Sequence, residues 1–127
     1  GEKLKIACFF CAYVKRLSNF LLLLENETTA KIRELSLAIR ETLNFATLFG
    51  AECDISADDN GVACLYSLIK AYSLFEEYLE PIAENLDAVY VKLSQTPSEI
   101  ILNIFADRKD GNTDFKRIVC KKGGERL

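Results

Sequence analysis

Apolar positions recur twice at helical spacing before the first strand-like stretch. Ile6, Phe10, Tyr13, Leu17, Phe20 and Leu24 follow one another at alternating steps of four and three, the signature of one continuous helix face. Turn and cap residues from Asn26 to Thr29 interrupt it. Ile32, Leu35, Ile39, Thr42, Ala46 and Phe49 then repeat the spacing, and Gly50 stands where a helix C-terminus favours glycine. Two helices of about twenty residues joined by a short turn predict an antiparallel hairpin over residues 1–50. Leu21, Leu22, Leu23, Leu37, Leu43 and Leu48 widen the apolar surface beyond one seam. The hairpin therefore needs a further partner: the rest of the domain, a second copy, or both.

The remainder changes period. Ala51–Ser56 reads as a short strand, and Ala57–Gly61 as a turn and helix cap. From Val62 onward Leu65, Leu68, Ile69, Tyr72, Phe75 and Leu79 predict a helix that Pro81 ends. Ala88–Ser94 alternates as a half-buried strand, and Gln95–Ser98 is a turn. Glu99–Ala106 is apolar on both faces, which predicts a central strand paired with the preceding one as a hairpin. Asp107–Asn112 is a polar loop, Phe115–Cys120 a third strand of this group, and Lys121–Leu127 a polar tail. The order α-α-β-α-β-β-β predicts an α+β fold: the helical hairpin, then a two-layer α/β sandwich over residues 51–127 with a mixed, mainly antiparallel sheet.

Composition narrows the function. The chain has 127 residues, half of them apolar and 28% charged, which is ordinary globular composition for one domain and excludes disordered and low-complexity classes. Its longest apolar runs, Ile6–Val14 and Phe20–Leu24, fall short of the roughly 18 residues of a membrane span, so no membrane insertion is expected. No secretory signal is visible. With no Met, even at its start, the chain reads as a piece of a longer protein. The absence of His removes His general bases, His metal ligands and phospho-histidine chemistry. Five Cys in no even framework argue against a disulfide-stapled fold and favour a cytoplasmic setting. Net charge is −3, unevenly spread: residues 51–91 hold nine acidic residues and one basic, Lys70. Such a stretch repels phosphate backbones, so no nucleic-acid partner is expected.

Few stretches carry chemistry. Cys8-Phe9-Phe10-Cys11 is a CxxC, but it lies inside a helical pattern with bulky neighbours and without two further ligands. It reads as core, as do Cys53, Cys64 and Cys120. Glu76, Glu80 and Glu84 share a helix face, where a solvated acidic surface is the simple reading. Asp107, Asp110 and Asp114 lack the spacing and closing Glu of a calcium loop, and no glycine-rich phosphate loop is present. No catalytic residue and no metal site is assigned.

Taken whole, the pattern resembles the C-terminal region of bacterial sensor histidine kinases, with a two-helix dimerisation element and a histidine kinase-like ATPase sandwich of the GHKL (Bergerat) type. Tyr13–Phe20 resembles the end of the first dimerisation helix. Glu34–Leu43 followed by Gly50–Ile55 resembles the second helix running into the first ATPase strand. Leu65–Glu80 sits where the family has its N-box helix, Ala88–Leu93 follows at the matching distance, and Ile100–Asp107 resembles the strand ending in the D-box. The resemblance implies a role in two-component signal transduction. It also implies that Glu76 and Glu80 stand at the acidic and Asn positions of the N-box, and Asp107 at the adenine-binding Asp, with Lys109 on the following Gly position. If nucleotide binds, these four residues would hold Mg-ATP. The sharp features of an active member are absent: no phospho-accepting His, no room for a lid between Asp107 and Phe115, and no second glycine-rich box.

The expected function is therefore that of a degenerate, pseudokinase-like member: a non-catalytic signalling and dimerisation module, cofactor-free, forming a homodimer through the helical hairpin and contacting a signalling partner. Two alternatives stand beside it. One is a working Mg-ATP-binding domain using Glu76, Glu80 and Asp107. The other is a small-ligand sensor whose pocket is lined by Tyr72, Phe75, Tyr90 and Phe105.

Overall fold

The computed structural model describes residues 29–123. The first predicted helix, with Cys8 and Cys11, lies outside the described residues. The elements run β1 (Thr29–Lys31), α1 (Ile32–Thr47), β2 (Glu52–Ala57), β3 (Val62–Cys64), α2 (Leu65–Leu79), a 3-10 segment (Glu80–Asn85), β4 (Leu86–Gln95), β5 (Glu99–Arg108) and β6 (Thr113–Lys121). The fold is mixed α+β and mainly antiparallel.

The order differs from expectation at two places. Before α1 and before α2 stand three-residue strands, β1 and β3, which pair with each other antiparallel as a separate two-stranded ribbon. Three residues are too few to show a period, and Val62 continues the helical spacing of Leu65. Only the pairing of Lys31 with Val62 and of Thr29 with Cys64 makes these residues strands. The ribbon is held at its β3 end by the Cys64 N–H donating to the Lys122 carbonyl at 2.7 Å.

β2, β4, β5 and β6 form the main sheet in that spatial order, with β2 parallel to β4 and the other pairs antiparallel. The hairpin expected over Ala88–Ala106 is present and longer, from Leu86 to Arg108. Alternation along the strands sends Val89, Val91 and Leu93 of β4, Leu102, Ile104 and Ala106 of β5, and Ile118 and Cys120 of β6 to one face. Both helices cover that face, α1 over β2 and α2 over β6, and they touch each other. A single hydrophobic cluster runs from Ile32, Leu35 and Ile39 of α1 through Leu68, Tyr72 and Phe75 of α2 to these strand residues.

The second expected helix is thus part of the sandwich layer. Its seam of Ile32, Leu35, Ile39, Thr42 and Ala46 is buried, and its outer side carries Arg33, Glu34, Arg40 and Glu41. Gly50 closes the turn after α1 with φ at +93°, a left-handed conformation in which glycine avoids the Cβ strain of other residues. Pro81 enters the 3-10 segment as α2 ends. Among the described residues no helix is long and apolar enough to cross a membrane.

Candidate functional site

Position along α2 decides what its acidic residues can do. Glu76 follows Tyr72 by four and precedes Leu79 by three, so the apolar seam carries it inward, where it is 1% exposed. There it joins a chain of side chains between the two helices. Thr42 of α1 lies 2.8 Å from the Tyr72 hydroxyl, and that hydroxyl lies 3.1 Å from Glu76 Oε1. Thr42 Oγ1 also donates to the Ala38 carbonyl at 3.1 Å. Glu76 Oε2 is buried with no hydrogen-bond partner.

Burial raises the Glu76 carboxyl from 4.5 to about 7, against the lowering effect of the Tyr72 and Thr42 hydroxyls and with a smaller upward push from Glu80. The Tyr72 hydroxyl donates to Glu76 Oε1 and Thr42 Oγ1 to the Ala38 carbonyl, so the carboxyl is tied to both helices. Burial outweighs these hydrogen bonds, and Glu76 is a structural acid packed between helices.

The residues that the kinase resemblance brings together in sequence are apart in space. Glu76 is on the helix-covered side of the sheet. Glu80 lies one turn on, exposed, where α2 ends. Asp107 belongs to the opposite face, because its neighbour Ala106 is in the core and β5 alternates. Lys109 is exposed in the β5–β6 turn, its N–H donating to the Asn85 carbonyl at 2.7 Å. The aromatic set divides likewise: Tyr72 and Phe75 are core, with ring centres 6.2 Å apart, while Tyr90 and Phe105 are on the face opposite the described helices. The described cysteines are free thiols. Burial pushes the Cys53 thiol up to about 11, far from the thiolate a redox site needs. Among the described residues no group of three or more His, Cys, Asp or Glu is placed to hold a metal ion.

Two surface features stand out among the described residues. The first is the face of the sheet that no described helix covers, the uncovered face. Ring centres lie 6.1 Å apart for Tyr90 and Phe105 and 5.0 Å apart for Phe105 and Phe115, so three strands contribute one continuous aromatic row. Beside the row a depression of about 380 Å³ is lined by Glu52, Asp54, Tyr90, Phe105 and Asp107, among others. The second is a cleft of about 590 Å³ between α1 and the β2–β3 loop, lined by Lys31, Arg33, Arg40 and Asp59 among others. Asp59 is held there by the Ser36 hydroxyl at 2.6 Å. Simple registry about the two hairpin turns would have found the aromatic row; nothing in the linear pattern marks the cleft. No family model matches this chain, and no curated protein matches it.

Proposed function

We propose that this chain is a non-catalytic signalling and self-association module on a histidine kinase-like scaffold. One observation carries the reading: Glu76 and Asp107, the residues in the N-box and D-box roles, lie on opposite faces of one sheet. A magnesium-bound triphosphate needs them on one side of a concave, donor-rich site. Glu76 is further committed to Tyr72, inside a packed helix interface. What the scaffold offers outward is surface, the aromatic row above all, which suits contact with protein. Free thiols at Cys53, Cys64 and Cys120 suit a reducing, cytoplasmic setting.

Self-association is the simplest work for such a module. In the hairpin form of the dimer, α1 would present its charged outer side, since its apolar seam is spent on the sheet; the seam at residues 6–24 would have to do the packing. Calorimetric titration with a non-hydrolysable ATP analogue and magnesium tests the non-catalytic reading. No heat at millimolar nucleotide is expected. Saturable binding at micromolar concentration, lost in Asp107→Asn, would overturn it in favour of a working Mg-ATP domain.

A further inference from the structure

We propose that the face of the sheet that no described helix covers is the docking surface for a second copy of this chain, the copies related by a two-fold axis running across the strands along the Tyr90–Phe105–Phe115 row. The proposal rests on the self-association reading above and assigns the surface that performs it.

The three rings are 38%, 45% and 57% exposed although they touch one another. An apolar strip spanning three strands of an uncovered face is the kind of patch that marks an interface. Charge identifies the occupant. The register aligns Glu52 of β2, Ala88 of β4, Asp107 of β5 and Thr113 of β6 on one side of the aromatic row. On the other side it aligns Ser56, Lys92, Asn103 and Arg117. The rings are therefore flanked by an acidic row on one side and a basic row on the other, and the last row of the face, Glu99 opposite Lys121, is neutral. None of Glu52, Asp107, Lys92 and Arg117 makes an ion pair among the described residues.

Such a polar strip selects its own symmetry. A two-fold axis parallel to the strands lays acidic row on acidic row. An axis across the strands lays the acidic row of one copy on the basic row of the other, twice, and stacks the aromatic rows face to face. The partner surface of that second arrangement is this same face, as an isologous contact requires. It also aligns the strands of the two sheets, the common way for sheets to pack. The rings stand two to four residues from one end of the strands, so the overlap about this axis covers about 400 Å² per copy, about 800 Å² for the pair, the size of a weak, transient contact. A phosphate-bearing partner fits worse, because Glu52, Asp54 and Asp107 would face its backbone. The arrangement has one like-charge meeting. Asp54, in the aromatic row on the β2 edge, faces its own counterpart.

Sedimentation equilibrium of the full chain tests this. The wild type is expected at twice its 14.3 kDa mass. Arg117→Glu and Asp107→Lys should each raise the dimer Kd about tenfold or more, as reversed charges do at complementary interfaces. The double variant should restore it, and Asp54→Asn should tighten it. Phe105→Ser should weaken it without introducing a charge. All four positions are exposed, and circular dichroism confirms the fold of each variant. A dimer indifferent to these changes, or a double variant that fails to restore association, overturns the proposal while leaving self-association through another surface intact. A chain monomeric at every concentration overturns both and assigns the face to a different occupant.

Discussion

Replacing Glu76 with Gln isolates the cost of burying a carboxylate in this core. Gln keeps the shape of the protonated acid and cannot ionise. In the unfolded chain the carboxyl titrates near its ordinary 4.5, whereas in the fold it holds its proton up to about 7. Below the lower value both states are protonated, and the group brings no charge penalty. Between the two values the unfolded chain gives up its proton first, so native stability falls as pH rises. Above about 7 the full penalty applies. At about 1.4 kcal/mol per pH unit, this burial costs the wild type about 3 kcal/mol at pH 8. Removing that cost is partly offset in the variant, because the amide NH2 would occupy the position of Oε2, where there is no partner. Glu76→Gln should therefore be more stable than wild type by about 2 kcal/mol at pH 8 and equal or slightly less stable at pH 4. Urea unfolding followed by circular dichroism at both pH values measures the difference. A variant less stable than wild type at pH 8, or a difference that does not change with pH, would refute the picture of a neutral acid in the Thr42–Tyr72–Glu76 chain.

Three further outcomes follow from the same packing. Tyr72→Phe removes a hydroxyl that favours the charged form of Glu76. The fall of stability should begin at the same pH as in wild type but continue to a higher pH and reach a larger total, read from the same unfolding series, on top of a loss of about 1–3 kcal/mol from the stranded polar groups. Phe75→Ala empties a fully buried ring site beneath α2 and should cost about 3–5 kcal/mol by urea unfolding; a loss under 1 kcal/mol would mean that the core does not close there. Gly111→Ala forces a Cβ into the β5–β6 turn at φ +90°, with open space around it, so about 1 kcal/mol of backbone strain and no steric clash is expected, measured as a small drop in Tm.

Much of the fold could be read from period alone. The spacing of Ile32, Leu35, Ile39, Thr42 and Ala46 predicts α1, and the alternation of Val89, Val91 and Leu93 predicts the core face of β4. The parallel pairing of β2 with β4 has no local signal, because it depends on a crossover through α2. β1 and β3 were invisible because each acquires its identity from the other. Charge spacing groups Glu76 with Glu80 and Glu84 on a solvated face, and the fold does not. The 3-10 segment takes Glu84 off the helix, and the seam from Tyr72 to Leu79 claims Glu76 for the core. The aromatic row lay within reach. Folding the chain about the Thr96–Ser98 turn sets Tyr90 opposite Phe105, and folding it about Asp110 sets Phe105 opposite Phe115.

The charge of a segment and the charge of a surface are different quantities in this chain. Residues 51–91 carry nine acidic side chains, and taken as a block they describe a molecule that turns an acidic side to its surroundings. The sheet dissolves that block. β2 contributes Glu52 and Asp54 to the uncovered face, α2 buries Glu76 on the other, and Glu80 goes to solvent where the helix ends. Asp107, from a basic third of the chain, joins the acidic row of the face, while Lys92 and Arg117 form its basic row. A partner on this face would thus meet a change of sign across the aromatic row, not the net charge of −3. Net charge governs long-range repulsion and is screened within about 10 Å at ordinary salt. At contact distance the change of sign decides, and a surface that carries it complements its own two-fold image better than it complements any partner of one sign.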